Sequence, residues 1–269
     1  MGATGTLERT ADRLGPTRVA ADVEGIAVDA FPCVEAMLDR LVAEIRKPGK
    51  ALFFSLNAHG ANMARRLPRF RRLLQRADTV VCDGAGIAWA SRVLGGPPIP
   101  RRLSAGDYMP RLLERLAEEG LTAFFLAGRP GVAEAALARL AERVPRHTVL
   151  GCHHGYLSGD PALEERVVAR INALRPDLLL VGFGMPLQEY WIEDNLHRLD
   201  VGACMPFGAT LDYLSGRVPR CPAWLGERGL EWLYRLCLEP RRMAARYLLG
   251  NPWFVGRVLA GRLRRAWRR

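Results

Sequence analysis

Lysine is almost missing from this 269-residue chain. Lys47 and Lys50 are the only two, so arginine carries the basic excess that sets the net charge at +11 and the pI near 10. Such a balance points to phosphate-bearing partners, whether nucleic acid, anionic lipid or a nucleotide sugar, without choosing among them. Paired cysteines are also missing. Cys33, Cys82, Cys152, Cys204, Cys221 and Cys237 form no CxxC, which argues against a zinc ribbon or a compact disulfide framework and fits a reducing compartment. The run Cys152-His153-His154 does not supply a metal site, because neighbours on a strand point to opposite faces. No stretch approaches the roughly 18 to 20 apolar residues of a spanning helix, and the N-terminus has no signal-peptide core, so a cytoplasmic or membrane-peripheral protein is expected.

Three phosphate signatures are lacking as well. No loop ends in the GK[ST] of a Walker A motif, and no GxGxxG is followed by an acid about 20 residues later, so neither a P-loop nor a dinucleotide cofactor is expected. No Asp-x-Asp pair occurs, so a carboxylate-held divalent metal is not expected either; arginine would have to neutralise a diphosphate.

What is present is ample apolar material, 49% of residues, enough for one large α/β core. Residues 1–25, rich in Gly, Ala, Thr and Arg, read as a mobile leader. From residue 26, apolar runs bounded by turn residues alternate with helical spacing. The expected strands are 51–57, 79–83, 121–127, 148–152, 177–183 and 201–207, most of them too short and too uniformly apolar to face water on either side. Ala133, Leu137, Leu140 and Val144 share one helical face, as do Leu163, Val167, Ile171 and Leu174, and Asp160-Pro161 reads as a cap and first helical residue. The pattern predicts a Rossmann-like parallel sheet flanked by helices over 26–208. Beyond it, 209–269 reads as a helical appendage punctuated by Pro219, Pro222, Pro240 and Pro252. From Arg235 to Arg269 ten arginines face one acid, Glu239, interleaved with Trp253, Phe254, Leu259, Leu263 and Trp267, the composition of an interfacial helix on anionic lipid. That placement favours lipid over nucleic acid as the anionic partner.

Ligands of open parallel sheets bind beyond the carboxyl ends of the strands, so the residues there carry the functional reading. Ser55 and Asn57 offer a hydroxyl and an amide after the first run. Asp83, in Cys82-Asp83-Gly84-Ala85-Gly86, could serve as a general base or cap the helix that follows. The turn from Gly128 to Val132 could present amides and a helix N-terminus to a phosphate. In the turn from Gly182 to Glu189, Gly184 leads into Gln188, which has the reach for sugar hydroxyls or a nucleobase, while Glu189 suits the positive helix end. Arg101 and Arg102 precede a helix where a guanidinium could meet a leaving diphosphate.

The segments SLNAHGANMARRLPRFRRLLQRADTVVCDGAGIAWA, RRLSAGDY, FFLAGRPGVAEAAL, LLLVGFGMPLQEYW and GATLDYLSGRVPRCPAWLGERGLEWLYRLCLEPRRMAARY resemble, in order and spacing, the WecG/TagA/CpsF glycosyltransferases. The resemblance runs from about residue 26 to 250. It implies an inverting, metal-independent enzyme of cell-surface or exopolysaccharide synthesis. The donor would be a UDP-sugar and the acceptor a polyprenyl diphosphate-linked glycolipid at the inner face of the cytoplasmic membrane. It implies Asp83 as base, Ser55, Asn57, Arg102 and Gln188 as substrate contacts, and appendage arginines at Arg235, Arg242 and Arg246. Arg101 competes with Arg102, and Arg241 with Arg242. Ser55 stands where the family has Thr and keeps the hydroxyl, whereas Leu187 stands where Lys is common, leaving the sugar open. A homo-oligomer remains open, as does a non-catalytic nucleotide-sugar-binding scaffold.

Overall fold

The structure is a computed structural model describing residues 19–267. Each expected apolar run forms a strand within two residues of its expected ends: β3 (Ala51–Leu56), β4 (Thr79–Cys82), β5 (Ala123–Ala127), β6 (Val149–His153), β7 (Leu178–Gly182) and β8 (Ala203–Pro206). They are preceded by β1 (Ala20–Val23) and β2 (Ile26–Asp29), giving one eight-stranded sheet of order β1-β2-β4-β3-β8-β7-β5-β6. All neighbours are parallel except β1 and β2.

The β1–β2 hairpin corrects the leader reading. Residues 20–23 are a strand, with Ala21 and Val23 fully buried, so the sheet domain starts before residue 26; the leader up to residue 18 lies outside the described residues. The hairpin turns through Glu24 and Gly25, both at positive φ (55° and 83°), and the Gly25 amide donates to Asp22 Oδ1 at 3.2 Å. This two-residue geometry matches the strand twist.

In chain order the helices are α1 (Val34–Ile45), α2 (Ala58–Arg66), α3 (Pro68–Arg76), α4 (Ala85–Val93), α5 (Ala105–Glu118), α6 (Val132–Arg143), α7 (Pro161–Leu174), α8 (Leu187–Asn195), α9 (Thr210–Leu214), α10 (Ala223–Glu227), α11 (Glu231–Leu238), α12 (Pro240–Ala244) and α13 (Gly250–Trp267), with a π turn over Ala245–Leu249. Strand side chains alternate between two cores: Phe54, Leu56, Leu179 and Val181 meet α2, α3, α4, α7 and α8, while Phe53, Leu178 and Leu180 meet α1, α5, α6 and α9. Each fully buried Phe or Leu contributes about 1.5–3 kcal/mol of transfer free energy. Asp160 caps α7 as expected, accepting from the Leu163 amide at 2.8 Å.

No further strand follows β8 among the described residues. The C-terminal helices nevertheless do not hang free. Helix α13 returns to pack on α2 and α4, burying Phe254 and Val258 completely. Chain order reverses between β4 and β5, and the carboxyl ends of β3, β4, β5, β7 and β8 line one crevice there. That is where an open α/β sheet presents its ligand site.

Candidate active site

Asn57 and Asp83 stand side by side because β3 and β4 are adjacent, with Leu56 paired to Cys82. Asn57 caps α2, its Oδ1 accepting from the Gly60 amide at 2.9 Å, and its Nδ2 donates to Asp83 Oδ2 at 3.4 Å. Asp83 does not cap α4. Gly84 occupies that position at φ 144°, so the capping alternative falls and the carboxylate lines the crevice. Its acidity is weakened: burial raises the pKa first, then the nearby Glu231, against the Asn57 hydrogen bond and the charges of Arg235 and Arg102. A carboxylate so placed is a stronger base than a solvated one. Ser55 lines the same floor. Glu231→Gln should remove the like charge and move the acid limb of the kcat/KM–pH profile to lower pH. A profile that stays in place would detach Glu231 from the base.

The β7 turn also lines the crevice. Gln188 was expected to reach for substrate. It is only 1% exposed, its Oε1 accepts from the amides of Gly184 (3.1 Å) and Gly208 (3.2 Å), and its Nε2 donates to Glu189 Oε1 (2.8 Å). Its oxygen ties the β7 and β8 turns together while the residue lines the crevice. The strands approach so closely here that a Cβ on Gly182 would lie 2.6 Å from the Gly208 carbonyl oxygen. Gly184 sits at φ 84°, before a cis Met185-Pro186 bond.

Glu189 is equally buried, and burial pushes its pKa up to about 7, with Oε2 lacking a hydrogen-bond partner. A carboxyl whose folded pKa exceeds its ordinary value of 4.5 stabilises the fold fully below that value, and the contribution is lost as pH rises through about 7. The span is worth about 3 kcal/mol at most. Glu189→Gln should therefore flatten the fall in Tm between mildly acidic and mildly alkaline pH. An unchanged slope would assign that fall to other groups.

Gly128 (φ 74°) follows β5 and lines the crevice with Arg129, while Gly131 (φ 82°) opens α6 outside its lining.

The other wall is arginine, Arg102 from the loop before α5 and the rest from the C-terminal segment. Arg102 lines the crevice and Arg101 does not; Arg102 Nη1 lies 3.0 Å from Glu231, Nη2 3.5 Å from Asp107, and Nε donates to the Gly226 carbonyl at 3.1 Å. Arg220 joins the same cluster through Glu231 at 3.3 Å and through Asp107. Arg235 and Arg246 line the crevice with their Nε atoms buried and unpartnered, and neither forms an ion pair among the described residues. Arg235 stacks over Tyr213 at 5.2 Å and Arg246 over Tyr247 at 5.4 Å. Arg242 also lines the crevice, paired with Glu239 at 3.1 Å, whereas Arg241 does not.

Sequence reasoning missed Glu231, Tyr108, Tyr213 and His59. Burial and Arg246 hold the His59 pKa down to about 4, so a neutral imidazole faces the crevice at pH 7. Burial and Asp83 push the Tyr108 hydroxyl above its ordinary value. The crevice measures about 1440 Å³. Single small-ligand pockets run to roughly 300–1,000 Å³, so this one has room for two substrates side by side.

A weakened carboxylic acid and buried guanidiniums without ion-pair partners among the described residues thus share one crevice at the strand ends of a parallel sheet, where such folds present their ligand site. The chain belongs to the glycosyl transferase WecG/TagA/CpsF family, matching it over residues 21–268. It is similar to the N-acetylglucosaminyldiphosphoundecaprenol N-acetyl-beta-D-mannosaminyltransferase of Bacillus spizizenii, 29% identical over 192 residues covering 71% of this chain and 72% of the relative. A protein of the same name in Staphylococcus aureus is 29% identical over 187 residues, covering 70% and 72%.

Proposed function

We propose that this glycosyltransferase moves a hexose or N-acetylhexosamine-type sugar from a UDP-sugar to a polyprenyl diphosphate-linked acceptor, inverting the anomeric centre without a metal. The carrying observation is Asp83 facing Arg102, Arg235 and Arg246 within one crevice. Asp83 takes the proton of the acceptor hydroxyl as its oxygen bonds to the anomeric carbon. The bond from that carbon to the diphosphate oxygen breaks, and its electron pair leaves with UDP toward the arginines. Fixed positive charge aimed at the departing oxygens is the term that grows in the transition state. Asn57 holds the base, Ser55 and Gly128 offer polar contacts on the floor, and Gln188 and Gly184 keep the β7 turn closed against β8. Arg242 adds charge at the wall. On this reading 26–208, together with the hairpin, forms the catalytic body and 209–269 the appendage.

The relatives' names make UDP-N-acetylmannosamine and N-acetylglucosaminyl-diphosphoundecaprenol the first pair to test here. No helix among the described residues is long and apolar enough to cross a membrane. On α13, however, Val255, Leu259, Leu263 and Trp267 recur every fourth residue and are exposed, Trp267 by 91%. Such a stripe beside arginines suits a peripheral position on anionic lipid at the inner face of the cytoplasmic membrane. UDP release from a panel of UDP-sugars, with EDTA and with or without acceptor, tests the whole reading. Acceptor-dependent release that survives EDTA is expected. Binding of a donor with no release across the panel would favour a non-catalytic scaffold.

A further inference from the structure

The crevice lining reaches Val255 of α13, and later turns of the same helix wall a second recess of about 520 Å³. Five arginines enter it: Arg65 from α2, Arg71 from α3, and Arg257, Arg264 and Arg265 from α13, with Glu24 of the hairpin turn as the sole carboxylate in the lining. The proposed transfer uses none of them. Arg257 is held in place on three sides. It pairs with Glu24 at 2.9 Å, donates to Asn62 Oδ1 at 2.9 Å and lies over the Trp253 ring at 4.2 Å. Its Nε and Nη1 are nevertheless buried without a partner. Arg71 donates to the Glu24 carbonyl at 2.7 Å, and Arg265 to the Leu94 carbonyl at 2.6 Å. Arg65 and Arg264 form no ion pair or hydrogen bond among the described residues.

Arg265 also pairs with Asp22 at 3.4 Å, so two carboxylates face five guanidiniums, and a buried donor left unmade carries a desolvation cost. Both are relieved by an anion with several acceptor oxygens, for which the forked guanidinium is shaped. Ala260 and Gly261 keep the helix side of the recess small-walled. The exposed stripe and the recess arginines share α13, at helical spacing on different faces of it.

We propose that this recess is a binding site for a phosphate group, filled by the headgroup phosphate of an anionic lipid. The site is discrete, and separate from the catalytic crevice. It rests on the peripheral-membrane part of the proposed function and deepens it, because diffuse attraction needs no particular arginine whereas a site does.

The test measures co-sedimentation with phosphatidylcholine vesicles, with and without phosphatidylglycerol, for wild type, Arg65→Ala, Arg264→Ala and Arg262→Ala. The last removes equal charge from α13 outside the recess lining. Losing a charge-assisted contact in the recess should weaken binding to the anionic vesicles about tenfold beyond the loss in Arg262→Ala. Equal losses in all three variants would overturn the site in favour of diffuse charge. Calorimetry with inorganic phosphate separates the sources. Phosphate binding that Arg264→Ala abolishes, without any preference for anionic vesicles, keeps the site but overturns the lipid as its occupant. Sugar transfer to a detergent-dispersed acceptor should stay at wild-type level in every variant. Loss of transfer in wild type itself would instead remove the functional reading.

Discussion

Asp83→Asn is expected to lower kcat by about 10²- to 10⁴-fold, the usual worth of a general base, while the donor dissociation constant stays the same or tightens. The substitution is nearly isosteric, and an amide oxygen can still accept from Asn57 Nδ2, now 3.4 Å from the carboxylate. What is lost is proton affinity, which the walls around Asp83 raise above the ordinary carboxylate value. Because the ionised form is the active one, wild-type kcat/KM should fall as pH drops through that raised pKa, and the variant should lose this limb. Loss of a negative charge across from Arg102 and Arg235 also explains why an anionic donor would bind no worse. Single-turnover sugar transfer paired with donor titration separates the two quantities. A kcat within a few-fold of wild type would move the base elsewhere in the crevice.

The second large effect is expected at Arg246. Removing one preorganised donor from a water-poor site costs roughly 10²- to 10³-fold, and Arg246→Ala should lower kcat/KM by that order. Burial already pulls the Arg246 pKa down, its Nε has no partner, and no carboxylate lies in ion-pair reach among the described residues. An uncompensated buried cation is a stability cost in the empty enzyme, so the variant should melt no lower than wild type. Activity lost with Tm retained is the signature of a group kept for its ligand. Arg241→Ala, one turn earlier and outside the crevice lining, should be close to wild type. Equal losses at 241 and 246 would mean that the appendage acts through its overall charge.

Most of strands β3 to β8 were legible because they are continuous apolar runs in a sheet covered on both faces, as Leu178 to Val181 illustrate with complete burial, whereas edge strand β6 leaves Leu150 exposed. The hairpin was not. Its strands have four residues each, and its turn is Glu24-Gly25 rather than the Asn-Gly or Asp-Gly that announces positive φ. Asp83 could be found from its place after a strand, but base and cap were indistinguishable until Gly84 was seen to hold the cap position. The clamping contact of Gln188 left no local signal, because the Gly208 amide lies 20 residues away across the β8 turn. Arg235, Arg242 and Arg246 were accessible only through family resemblance. The contact of Glu231 with Arg102 spans 129 residues and leaves no local pattern.

The antiparallel strand β1 has a consequence for how this chain can be trimmed. It covers the outer edge of β2, whose parallel partner β4 meets it only at Asp29 and Val81. A chain shortened to residue 26, where the repeating pattern becomes obvious, would present β2 as an unpaired ribbon with buried Ile26 and Val28 newly wetted. Open edges of that kind recruit one another. Such a fragment should precipitate or self-associate while one beginning at residue 19, with β1 intact, stays dispersed.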